Sequence, residues 1–262
     1  MNIQLSDHFN YKKLFLFTLP SVVMMVFTSV YCVVDGFFVS NFAGKTAFAA
    51  INLIMPFIMI LGGIGFMIGT GGSALVSYTL GTGDKEKANR YFSMMVYFTI
   101  LAGILLTVLG IIFVRPIAEL FGADESMMDT CVLYGRIVIA FNAAYMLQNI
   151  FQSFFVVAEK PRLGLIVTIA AGVTNMVLDA LFVGVFKWGI VGAALATGIS
   201  QSIGGLLPLL YFALPNNSPL QLTRTGFELA PLLKASSNGC SELMNNVASS
   251  LIGIVYNYQL MR

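Results

Sequence analysis

LFLFTLPSVVMMVFTSVYCVVDGFF, residues 14–38, carries no charged side chain before Asp35. As an α-helix such a run crosses the ~30 Å hydrocarbon core of a bilayer. It also far exceeds the ~7–15 apolar residues of a signal-peptide core, and no small-residue cleavage site follows, so it is expected to stay in the mature protein. The same pattern returns at about 48–80, 91–114, 127–157, 163–186, 189–213 and 230–260. Hydrophobic residues make up 58% of the chain and charged residues only 10%, with a mean hydropathy of +0.86. A soluble domain carries about 25% charged residues. The runs are apolar on all sides and too long for the ~10-residue alternating strands of a membrane barrel. Backbone groups in lipid must then be satisfied within each segment, which leaves helix. The predicted fold is therefore all-α, a polytopic transmembrane helix bundle in a lipid bilayer.

Charge sets the orientation. With the N-terminus inside, one side carries Lys12, Lys13, Lys85, Lys87, Arg90, Lys160, Arg162, Arg224 and Lys234, and the other carries Lys45, Arg115, Lys187 and Arg262. The excess predicts a cytoplasmic N-terminus in an inner or plasma membrane. A net charge of +2 without an aromatic-interleaved basic patch excludes nucleic acid as a partner. Cys32, Cys131 and Cys240 are widely spaced and read as reduced, inert thiols. Residues 214–229, with two prolines and two asparagines, read as a cytoplasmic linker. The expected organisation is a six-helix lobe over 1–213, the linker over 214–229, and over 230–262 the first helix of a second lobe whose remainder is missing.

Ionisable groups inside spans cost roughly 2.5–3.5 kcal/mol on insertion scales and need a partner, a wet cavity or a task. Asp35, Asp179, Arg136 and Glu242 are the candidates. At a rise of 1.5 Å per residue, Asp35 and Asp179 sit roughly 31 and 24 Å into their spans, both in the outer half, and Thr197 lies about 12 Å down from the outside. Asn175 and Asp179, four apart, share a helix face. Two carboxylates, an amide oxygen and a hydroxyl suit a hard cation, and a shared dry site also permits proton uptake, so sodium and proton both remain open. The structural alternative is that each Asp braces a neighbouring helix. Arg136 and Glu242 lie closer to the interfaces, where snorkelling accounts for them. Tyr134 and Gln152 either line a cavity or make interhelical contacts. The glycines of GGIGFMIGTGG, residues 62–72, have no preceding strand and no following Lys, so close helix packing is preferred to phosphate binding. Pro20 and Pro56 permit bending within their spans, and His8 reads as a solvated terminal residue.

The combination of Pro20, DGFFVSNFAG with Asp35, VSYTLGTGDKEKANRYF, TNMVLDALF and GIVGAALATGISQ resembles the multidrug and toxic compound extrusion family of transporters. The resemblance covers nearly the whole chain. It implies a two-lobed fold of twelve helices, of which this chain holds the N-lobe and a seventh helix. It also implies export of small organic cations or amphipathic drugs in exchange for H+ or Na+, with no cofactor beyond the coupling ion and no enzymatic step. Positions matching Asp35, Asn175, Asp179 and Thr197 form a cation site in such relatives. Those matching Tyr134 and Gln152 line the same cavity, with Asn more usual at the second. Two other readings stand beside this one. A lipid-linked-sugar flippase of similar architecture would want a basic cavity, for which only Arg136 is available. A membrane prenyltransferase-like enzyme would want clustered aspartates where this chain has one per span.

Overall fold

The computed structural model describes residues 11–260, which places His8 outside the described residues. It consists of eight α-helices: α1 Tyr11–Phe38, α2 Lys45–Gly81, α3 Lys85–Leu120, α4 Glu125–Ala140, α5 Asn142–Val157, α6 Pro161–Asp179, α7 Gly189–Ala213 and α8 Leu229–Leu260. Among the described residues no strand is present. Helices α1, α2, α3, α6 and α7 are each long and apolar enough to cross a membrane. Helices α4 and α5 are long and apolar enough only when taken as a pair, and the pair is bent by 54°.

That bend corrects the expectation of one continuous helix over 127–157. At the break the Phe141 N–H donates to Val138 rather than to the residue four back, and a new α-ladder starts with Tyr145 donating to Phe141. The Phe141 ring fills the space left by Gly198 on α7, where a side chain would collide with it. The run 230–260, expected as the seventh helix, forms α8. It is of spanning length, but Lys234, Ser236, Ser237, Asn238, Ser241, Glu242, Asn245 and Asn246 dilute its apolar character, and it falls outside the helices apolar enough to span. It lies against α2. There the carbonyl oxygen of Ala235 occupies the space a side chain on Gly71 would need, and that of Met67 the space beside Gly239. The glycines of 62–72 thus serve packing. Gly65 likewise brings α2 onto the Met146 backbone of α5, 2.8 Å from where a Cβ would stand.

α1 and α6 each end in a π-helical turn, Val39–Ala43 and Ala180–Val185, and the two turns touch. At the same end Asp124 caps α4, accepting from the Met127 N–H and the Ser126 hydroxyl. These bonds hold its carboxyl below the usual carboxylate range. A lowered folded value means that the cap's contribution is complete above the unfolded value of about 3.9 and fades as pH falls through the folded one.

Two apolar cores occupy the ends of the bundle. One, around Ile54, Val114, Cys131, Tyr134 and Ile139, lies where α1 finishes. The other, around Phe92, Phe151, Phe154 and Phe212, lies where α1 begins. In the latter, the Phe92 ring stands edge-on to Phe154 and Phe212 at centroid distances of 4.8 and 5.1 Å. Between the cores runs a polar waist containing Thr99, Asn142, Asn149, Asn175, Asp179 and Ser200, all buried.

The segment after α7 is strapped to the bundle. The Gln221 N–H donates to Asn89 Oδ1 at 3.0 Å, the Thr223 N–H to Ser93 Oγ at 2.8 Å, and Leu220 is buried in the phenylalanine core. Removing one such bond costs about 1 kcal/mol, a factor of roughly 5 in the closed population. Asn89→Ala and Ser93→Ala should therefore each speed proteolytic nicking of 214–228 by about five-fold. Unchanged nicking would mean that the strap is held by Leu220 and by the Leu222 N–H bond to the Phe212 carbonyl.

Candidate functional site

α1 is the most exposed of the spans and rests chiefly on α6. Its seating is set by Gly172, whose missing side chain admits the rings of Phe27 and Tyr31. Both helices start at the same end. Eight residues from Phe27 to Asp35 and seven from Gly172 to Asp179 therefore climb to about the same height, roughly 10–12 Å above the ring contact. There the carboxyl groups of Asp35 and Asp179 face each other within hydrogen-bonding reach. Gly172→Leu would push α1 off α6 without altering any acidic residue. A cysteine pair introduced at 35 and 179 should cross-link readily in the Gly172 background and poorly with Gly172→Leu; equal cross-linking would discount the glycine seat.

Asp179 is completely buried, and neither of its oxygens has a hydrogen-bond donor; Asp35 Oδ1 also lacks one. Tyr134 is buried, with its hydroxyl beside Thr197 and both aspartates nearby. The Thr197 hydroxyl is buried too and makes no aligned hydrogen bond. Asn175, one turn before Asp179 on the same face, buries an amide oxygen that no donor reaches. Other acceptors in the waist share this condition: Asn142 Oδ1, Gln148 Oε1 and Gln201 Oε1. Buried polar atoms in folded proteins are ordinarily paired, so the unpaired oxygens of Asp35, Asp179 and the adjoining Asn175 and Thr197 leave the two carboxylates without the donors that would normally answer them. Asp35 additionally lines a cavity of about 500 Å³ between α1 and α2, bordered by Cys32, Ser40 and Asn52. Of the two carboxylates it borders only Asp35; Asp179 stays fully enclosed.

Of the residues singled out in the sequence, Asp35, Asp179, Tyr134 and Thr197 come together, with Asn175 adjoining them. Gln152 does not join them: it is half-buried on α5 and makes no hydrogen bond with these groups among the described residues. Arg136 is exposed on α4, and Glu242 is half-buried on α8. Cys32, Cys131 and Cys240 are all free. Sequence reasoning missed Tyr31, Tyr145 and Asn149. Tyr31 lies near both Asp35 and Tyr145, Tyr145 lies near Asn149, and the Asn149 amide reaches toward the Gly62 carbonyl at 3.5 Å. A legible signal existed, because Asn142, Tyr145 and Asn149 stand at i, i+3 and i+7 within an apolar run.

Comparison with known proteins bears on the chain as a whole. The family model for MatE matches residues 20–181, which contain both aspartates, the α4–α5 break and the Gly172 seat. The chain belongs to the MatE family. Among curated MatE relatives, the multidrug export protein MepA of Staphylococcus saprophyticus is 26% identical over 202 residues, covering 77% of this chain and 45% of the relative. MepA of Staphylococcus haemolyticus is 25% identical over 208 residues, covering 79% of this chain and 46% of the relative. The chain thus spans about half the length of the curated MatE proteins it matches. A crystal structure of a MATE protein in a bent conformation superposes with a TM-score of 0.83 at 20% identity, covering 92% of this chain and 54% of that one. Its straight conformation gives a TM-score of 0.85 with the same identity and coverage. At that identity the MATE structures establish the fold: a helical bundle matching about half of a larger molecule.

Proposed function

We propose that this chain is the N-terminal lobe of a multidrug efflux antiporter of the inner or plasma membrane, with its N-terminus in the cytoplasm. Cationic or amphipathic compounds leave in exchange for H+ or Na+. The observation that carries this reading is the contact between Asp35 and Asp179 inside an acceptor-rich, donor-poor waist. Two carboxylates cannot stay in contact in a medium of low dielectric without a positive ion or a proton between them. Thr197, Tyr134 and Asn175 would supply further oxygen ligands to a hard monovalent cation. Loading of the pair draws the exposed α1 onto α6, and unloading lets the two carboxylates repel. Bound cation and bound drug then weaken each other reciprocally. Alternating access further requires a second lobe, which α8 begins and the strap over 214–228 connects.

A flippase for lipid-linked sugars is disfavoured because its pyrophosphate needs cations in the cavity. Arg136 is exposed outside the waist, and the waist itself is acidic. The deciding experiment is dye efflux by the full-length protein in cells, repeated with the sodium gradient and then the proton gradient collapsed. Efflux should stop in one of the two cases. Efflux that survives both would remove ion coupling from the account.

A further inference from the structure

A cavity of about 680 Å³ opens at the opposite end of the lobe from the aspartate pair, between the start of α1, the α5–α6 turn and the end of α7. Its lining divides by chemistry. Lys160, Arg162 and Asn217 stand at its mouth, and Leu16, Ile166 and Leu214 form an apolar wall. Leu16 and Ile166 are exposed on the outer faces of α1 and α6, the faces that meet lipid in a membrane-spanning bundle. Neither Lys160 nor Arg162 has an ion pair among the described residues. Glu159 also borders the cavity and has an interaction of its own, leaving the mouth with two cations against one carboxylate. α6 begins here, with Pro161 in its first turn, so the positive end of its dipole adds to the same potential.

We propose that this cavity is a binding site for an anionic phospholipid. Its phosphate lies between Lys160 and Arg162, and its acyl chains run along Leu16 and Ile166. A soluble anion would use the cations and leave the apolar wall uncovered; a zwitterionic lipid would cover the wall and leave the cations unanswered. Basic pockets between transmembrane helices at the membrane boundary have this combination when they hold acidic headgroups. The occupant would bridge α1 to α6 and α7, pinning the inner end of a helix whose outer end carries Asp35. The assignment does not depend on ion coupling, so the two can fail separately.

The test uses the full-length protein purified in a neutral detergent, with lipid retention counted by native mass spectrometry and melting followed in parallel. Phosphatidylglycerol should bind about ten-fold or more tightly than phosphatidylcholine and raise the melting midpoint. In Lys160→Gln/Arg162→Gln the preference should fall by about ten- to thirty-fold, at roughly a factor of five per basic residue. The melting point without lipid should stay unchanged, which guards against misfolding. Ile166→Ser should weaken lipid binding with both cations in place. Equal binding of phosphatidylcholine, full retention in the double variant, or the same thermal shift from inorganic phosphate alone would each overturn the proposal, the last by identifying a free-anion site.

Discussion

Asp35→Asn and Asp179→Asn should each reduce ion-driven dye efflux by the full-length protein to background while leaving a folded, membrane-inserted molecule. Function is lost because an amide can neither bind a proton at this position nor offer a full charge to sodium. Stability moves the other way, because each substitution removes one member of a like-charged pair and supplies an N–H donor to the carboxylate that remains. Buried acceptors that lacked a donor gain one, so the melting midpoint should hold or rise by a few degrees, the exchange expected where a site is kept strained for function. A purely structural role for the pair predicts unchanged efflux in both variants. A drop in melting point together with lost efflux would show instead that the carboxylates hold α1 to α6, and the coupling role would fall.

The α2–α8 crossing gives the largest expected effect on stability. At Gly71 and Gly239 the facing atoms are backbone carbonyls, which cannot rotate aside as a side chain would. Gly71→Ala and Gly239→Ala should each destabilise by about 1–3 kcal/mol, and leucine at either position should separate the helices. Gly81, near the end of the same helix, has nothing within 4 Å of an added methyl, so Gly81→Ala serves as the control. Thermal melting would separate the cases: a shift of several degrees for the crossing glycines and none for Gly81. Equal shifts would mean that α8 is not held against α2 at these points.

The long apolar runs and the similar depths of Asp35 and Asp179 were legible because hydrophobic span length and helical rise are local properties that add along the chain. The meeting of the two aspartates followed once both helices were placed in the same direction. What decides that they face each other was not legible: the fit of Phe27 and Tyr31 against Gly172 is a matter of shape between two distant segments. The break at Phe141 was hidden for the same reason. No proline marks it, and the ring at the break packs against Gly198, more than fifty residues away. Helix α8 was legible as a seventh helix from its length, while its serines and asparagines mark it as more polar than the other long helices. The linker's prolines and asparagines indicated irregular backbone correctly. They gave no hint that Asn89 and Ser93 on α3 would hold it down.

The π-helical turns at 39–43 and 180–185 have a consequence for numbering. Such a turn holds one residue more than the α-helical path it replaces, so all that follows is rotated by about 100° relative to an uninterrupted helix. A relative whose matching helices are regular would need a one-position gap in each turn, beyond Asp35 and beyond Asp179, for its outer residues to correspond to those here. Deleting one residue inside 39–43 should likewise reset the face presented by the remaining residues of that turn while leaving Asp35, four residues before it, in register.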